Sequence, residues 1–246
     1  MLDATAKQNF LWTLLGSRAL LVPIPQGARS YGNVSLHIAR SSCGLGKGKM
    51  RVSGKVRIPR LLAELERQLS PDRKVMLCLH KNVETIALTC RPDFAAYSVA
   101  HWGAIEGKND WADFDTAVIL GLSYRGPVRL TNMFFALQGL QNDGWLGEPS
   151  WGSYPDVRQE MERGHLAASI IHAINRVCCR RVIDAEGNCP SADIFIVLGA
   201  GEELFERDLE PRTESPTLDL DPEFQNPCHI RRSVSSKLTT AFMKGC

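Results

Sequence analysis

Residues 60–101 read RLLAELERQLSPDRKVMLCLHKNVETIALTCRPDFAAYSVAH, and the apolar period changes along them. Leu61, Leu62, Leu65 and Leu69 recur at helical spacing, with Arg60, Glu64, Glu66 and Arg67 facing outward; this predicts a helix over 58–69. Ser70-Pro71-Asp72 stops it. Lys74–Leu79, KVMLCL, is a short continuous apolar run, as a strand buried on both faces requires. Val83–Cys90 returns to a helical pattern, and Ala96–His101 is another short strand. This alternation is the signature of a βαβ unit. It predicts an α/β domain with a mostly parallel sheet flanked by helices.

Moving outward, Tyr31–Ala39 alternates, with Val34, Leu36 and Ile38 on one face, and predicts a strand. Ser41–Lys49, SSCGLGKGK, is rich in glycine and lysine and invites comparison with a phosphate-binding loop. That motif needs Ser or Thr after its lysine, a glycine five residues before its last glycine, and a helix straight after. Here Met50 follows Lys49, Cys43 stands in the glycine's place, and RVSGKVRIP carries Gly54 and Pro59 without a helical period. The stretch therefore reads as a flexible basic loop. Near the start, Ala6–Leu15 suits a short helix, and Ala19–Pro25 a strand or extended connector.

Downstream, Thr116–Leu120 is β-rich and apolar and predicts a central strand. Thr131–Leu140 suits a helix, and Asn142–Pro155 a long surface insertion. Trp145 and Trp151 within it could stack on bases or fill a hydrophobic gap. Leu166, Ile170, Ala173, Ile174 and Val177 keep the 3.6 period and predict a helix over 166–179. Ala192–Leu198, ADIFIVL, is a last buried strand, with a short helix over 202–207. From Leu209 the chain is acidic and proline-rich, a composition that does not build a core; a helical scrap fits 237–246.

The 246 residues suffice for one large domain, and 44% hydrophobic with 23% charged is ordinary for a globular chain. A net charge of +2 gives little steering toward polyanions. No apolar run is long enough for a membrane span, and MLDATAKQNF lacks a signal-peptide pattern. The eight cysteines form no C-x-x-C pair, and Cys78 and Cys178-Cys179 fall inside apolar elements, as reduced thiols do. A cytoplasmic location is the expectation.

Open parallel sheets bind ligands at the carboxyl ends of their strands, which makes His80 and Lys81 candidates for substrate contact; a solvated turn is the alternative. In His101–Gly121, HWGAIEGKNDWADFDTAVILG, Gly103 and Gly107 permit an unusual backbone path, and Lys108 and Asn109 suit a phosphate or sugar. Arg176 and Arg180, four apart, would share a helix face, and a guanidinium makes bidentate, permanently charged contacts to phosphate.

Three stretches, in this order, resemble motifs of superfamily 2 helicases. Asp3-Ala4-Thr5 resembles motif III, the 107–119 loop and strand resemble motif V, and Ile170–Arg181, IIHAINRVCCRR, resembles motif VI; His80-Lys81 occupy the place of motif IV. Motif VI in the family reads Q/H-x-x-G-R-x-x-R. His172, Asn175 and Arg176 match its first, fourth and fifth places, whereas the eighth is Cys179, with Arg180 following. The resemblance implies a RecA-like C-terminal helicase domain at 31–207, preceded at 1–30 by a remnant of the first lobe and connector, and followed at 208–246 by a tail. It implies that Arg176 and Arg180 supply an arginine finger, and that Gly107, Asp110, His172, Arg176 and Arg180 border a nucleotide. His80, Lys81, Lys108 and Asn109 would touch nucleic acid, and Asp3, Ala4 and Thr5 would couple the lobes. The family's phosphate-binding lysine and Asp-Glu box are missing, so ATP and Mg would bind only with a first lobe, which a separate chain could carry. The chain alone is expected to be inactive as an ATPase. The partners implied are nucleic acid and that lobe, with no membrane. The runner-up is a non-catalytic RecA-like module that binds nucleic acid or a partner protein.

Overall fold

The computed structural model describes residues 9–22, 28–199 and 231–234. The strands β1 (Val34–Arg40), β2 (Lys74–Leu79), β3 (Ala96–His101), β4 (Thr116–Leu120) and β5 (Ala192–Leu198) all lie in one sheet. Every neighbouring pair is parallel, and their order is β3-β2-β4-β5-β1. A short β6 (Arg231–Val234) pairs parallel with β1 at the outer edge. All five predicted strands are present, and the arrangement is compatible with a RecA-like domain.

The chain divides into two compact units. One is formed by Ile24–Leu122 with Ala173–Cys246 and holds the sheet. In its core, Val75, Leu77, Leu79, Val118, Leu120, Phe195 and Val197 project from one face of the sheet. They pack with Ile58, Leu61, Leu62 and Leu65 of α2 (Lys47–Gln68) and with Ala87 of α3 (Glu84–Thr89). Each fully buried Leu or Ile contributes about 1.5–3 kcal/mol. Met76, Cys78, Ala117, Ile119, Ile194 and Ile196 alternate with them and are equally buried, which explains why these strands read as unbroken apolar runs.

α2 corrects the sequence reading, because it begins eleven residues before the predicted start at 58 and has 22 residues. Its buried positions Met50, Gly54, Arg57, Ile58, Leu61 and Leu65 do follow a helical period. The period is hidden in the sequence because Gly54 and Arg57 occupy inward places. A Cβ on Gly54 would stand 3.0 Å from Val83 Cγ1, so the glycine permits close approach of the next turn. Pro59 sits inside the helix on its exposed side.

The second unit comprises Met1–Pro23 and Ser123–His172, a grouping that the sequence reading did not separate. It contains α1 (Leu11–Leu15), α4 (Pro127–Gln138) and most of α5 (Val157–Ile174). Pro127 opens α4, where its missing N–H has no helical partner to lose. Trp145 is only 7% exposed and stacks on Phe134 with ring centroids 4.6 Å apart. Trp151 meets Phe10 and Phe134 edge-on. Of the two roles open to these tryptophans, Trp145 therefore takes that of filling a core, and base stacking is closed to it.

α5 ends at Ile174, not at 179, and Cys178–Arg180 form a separate 3-10 turn. Arg176 and Arg180 consequently do not share one α-helical face. Residues 19–22 form no strand. Asp3, Ala4 and Thr5, the 202–207 and 237–246 helices and most of the 208–246 tail lie outside the described residues. Cys78, Cys178 and Cys179 are buried free thiols, as expected, whereas Cys43 is disulfide-bonded, which the sequence did not signal. Among the described residues no helix is long and apolar enough to cross a membrane.

Candidate functional site

Two edges of the sheet carry polar groups, and they differ in character. The amino-terminal edge gathers the arginine turn and the 107–115 loop. The loop crosses from the end of β3 to the start of β4, anchored where Trp111 Nε1 donates to Ser98 Oγ at 2.8 Å. Gly107 turns with φ +76°, and Lys108 Nζ lies 5.8 Å from the Trp111 ring centroid. The backbone N–H of Cys178 donates to the Phe114 carbonyl at 2.7 Å and ties the arginine turn to this loop.

Two guanidinium groups then reach the loop. Arg176 Nη1 donates to the Lys108 carbonyl at 2.9 Å, and Arg180 Nη1 donates to Asn109 Oδ1. The carbonyl of Arg180 accepts from Arg29. Both loop acceptors are neutral, so these bonds position the arginines without cancelling their charge. Arg180 is exposed and Arg176 half-buried. Asp110 is exposed in the same loop. The structure thus brings Arg176 and Arg180 onto Lys108 and Asn109, next to Gly107. His172, half-buried near the end of α5, belongs to the other compact unit.

Beneath this cluster lies a charge network that the sequence reading missed. Arg73 Nε donates to Thr116 Oγ1 at 3.1 Å and forms an ion pair with Asp115 Oδ1 at 3.1 Å, and its Nη2 pairs with Asp193. His37 Nε2 bonds Asp193 Oδ1 at 2.8 Å, with its ring stacked 4.4 Å from Phe195. The His37 hydrogen bond, and then the Arg73 charge, hold the Asp193 carboxyl below the usual carboxylate range. The network joins the starts of β2 and β4 to β5 and β1. Its sequence signal is slight: charged residues beside strand starts resemble solvated turns.

The carboxyl-terminal edge is different. Residues 41–46 leave β1 and pass along this edge. The Ser41 N–H donates to the Leu198 carbonyl at 2.8 Å, and Arg57 Nη1 donates to the Gly44 carbonyl at 3.3 Å. Asn82 Nδ2 donates to the Lys47 carbonyl at 2.8 Å. Leu45 is buried against the end of β4, where Gly121 has φ +78°. His80 follows β2 here, 3% exposed. The ring is therefore enclosed at this edge and is not part of a solvated turn, the alternative that the sequence left open. Lys81, next to it, is exposed.

Among the described residues, no group of three or more His, Cys, Asp or Glu side chains is placed to hold a metal ion. No family model, curated protein or solved structure matches the chain.

Proposed function

We propose that the chain acts as the C-terminal RecA-like lobe of an ATP-dependent nucleic-acid helicase or translocase. In this reading Arg176 and Arg180 supply positive charge to a nucleotide held by another lobe, and Lys108 and Asn109 on the same edge contribute to the nucleic-acid track, with Lys81 on the opposite edge not part of it. The observation that carries the reading is the convergence of both arginines on residues 108–109 through neutral acceptors, at the amino-terminal edge of the sheet. A parallel sheet binds its own ligands at the opposite edge. Charged guanidinium groups fixed at the amino-terminal edge suit a phosphate presented from outside, which is what an arginine finger given in trans requires.

The test supplies a separate lobe carrying the phosphate-binding lysine and metal-holding carboxylates, and measures ATP hydrolysis with nucleic acid present. Arg176→Ala or Arg180→Ala should lower turnover on the order of 10³-fold. Rates within about twofold of the parent for both variants would remove the finger assignment and leave a binding module. The isolated chain should not turn over ATP; robust hydrolysis lost on Arg176→Ala would overturn the division of labour between lobes.

A further inference from the structure

The opposite edge carries features that this reading leaves unused. β1, a glycine-rich loop and the 22-residue α2 follow one another directly, so the helix that the sequence reading found missing after Lys49 is present. Gly46 is the N-cap of α2, with no side-chain cap, and Lys47, Gly48 and Lys49 form its first turn. The N–H groups of a first helical turn lack intrahelical acceptors and carry partial positive charge. Gly44, Gly46 and Gly48 are absent from the positive-φ glycines, so the backbone does not demand them. A Cβ at 46 or 48 would meet nothing within 4 Å, so neither glycine is there for tight packing. Their effect is to leave this backbone bare.

A second observation is independent of the helix. His80 is buried, and neither ring nitrogen has a hydrogen-bond partner. Its ring borders the same loop: a Cβ on Gly121 would lie 3.2 Å from His80 Nε2 and 2.8 Å from the Leu45 carbonyl. That carbonyl favours the charged ring without meeting hydrogen-bond geometry, while burial, then Lys47, press the His80 pKa down. A buried imidazole without a partner is unfavourable, and an acceptor supplied by a ligand relieves that cost. Arg57, 5% exposed, adds a buried positive charge beneath Gly44.

We infer that loop 41–46 and the first turn of α2 bind a phosphoryl group, with Lys47 and Lys49 as charged contacts and His80 as a buried donor. Helix N-termini of this form bind anions through backbone N–H groups. The residue after Lys49 is Met50, without a hydroxyl for a metal, so the site binds without catalysing transfer. It lies on the edge away from Arg176 and Arg180, and stands or falls separately from the helicase reading.

The experiment titrates the full chain at low salt with inorganic pyrophosphate by calorimetry, and follows the His80 ring by NMR. Pyrophosphate should bind and shift the His80 resonances. K47Q/K49Q, two exposed positions, should weaken binding by about tenfold or more with the melting temperature unchanged, because charge-assisted contacts are lost. Displacement by metal-free ATP would identify a free nucleotide as the source of the phosphoryl group, and displacement by a single-stranded oligonucleotide a phosphodiester backbone. No binding by the parent chain, binding indifferent to K47Q/K49Q, or binding lost only in R176Q/R180Q would each overturn the inference; the last would place phosphate on the other edge and support the helicase reading.

Discussion

Replacing Gly121 by alanine tests the carboxyl edge most directly. Gly121 has φ +78°, where an L side chain costs about 1–2 kcal/mol. The new Cβ would also stand 2.8 Å from the Leu45 carbonyl and 3.3 Å from Leu45 Cβ. Leu45 is 1% exposed within the main core, so its backbone has little room to retreat. Overpacking of that kind costs about 1–3 kcal/mol more. Gly103 is the control: its φ is +90°, yet a Cβ there would meet nothing within 4 Å. Gly103→Ala should therefore lose about 1–2 kcal/mol and Gly121→Ala about 2–5 kcal/mol. In urea, with a slope of about 2 kcal/mol per molar, the gap between the variants would be on the order of 1 M in midpoint. The loop displaced by Gly121→Ala also borders His80, whose ring resonances should move in this variant and not in Gly103→Ala. Equal midpoints for the two variants would refute the close approach of Leu45 to the end of β4.

His165 predicts a pH dependence in the second unit. Burial, and then the Arg125 charge, push its pKa down to about 4, and Nε2 donates to the Ser123 carbonyl at 2.9 Å. The unfolded imidazole takes a proton near its ordinary value of about 6.5, so stability is full above that pH and is lost as pH falls from there toward 4. Denaturation midpoints should fall over that window, and less steeply for His165→Gln; identical slopes would exclude His165 as the cause. Burial also raises Cys178 to about 11 and Cys179 to about 12, so iodoacetamide at pH 8 should leave both unmodified until urea is added. Peptide mapping that finds either labelled equally with and without urea would contradict their burial.

The strands were legible because a sheet buried on both faces needs consecutive apolar residues, and Val75–Leu79 and Ile194–Leu198 supply them. The first half of α2 was not, since Gly54 and Arg57 hold inward positions where a periodicity search expects Leu or Val. The sequence also did not stop α5 at Ile174, because Val177 continues the apolar spacing although it belongs to the following turn. At the candidate site, the pairing of Arg176 and Arg180 with residues 108–109 followed from motif order. Their location at the amino-terminal edge did not, because the edge is set by strand order and direction. Arg73 and Asp193 stayed hidden because their partnership is made only when β2, β4 and β5 align.

The strand order also governs how the protein can fold. β2 pairs with β3 and β4, its nearest successors in the chain, and these contacts can form early. The centre of the sheet cannot. Thr116 must find Asp193, and Val34 must find Ala192, across all of α4 and α5 or nearly the whole described chain. Closing such long loops costs entropy before any contact repays it, and parallel pairing of distant segments is correspondingly slow. β5 is therefore the strand whose arrival joins β4 to β1, with β6 added later at the outer edge. Until then the apolar edges of β4 and β1 stand unpaired, and a nascent chain is most prone to self-association in that interval.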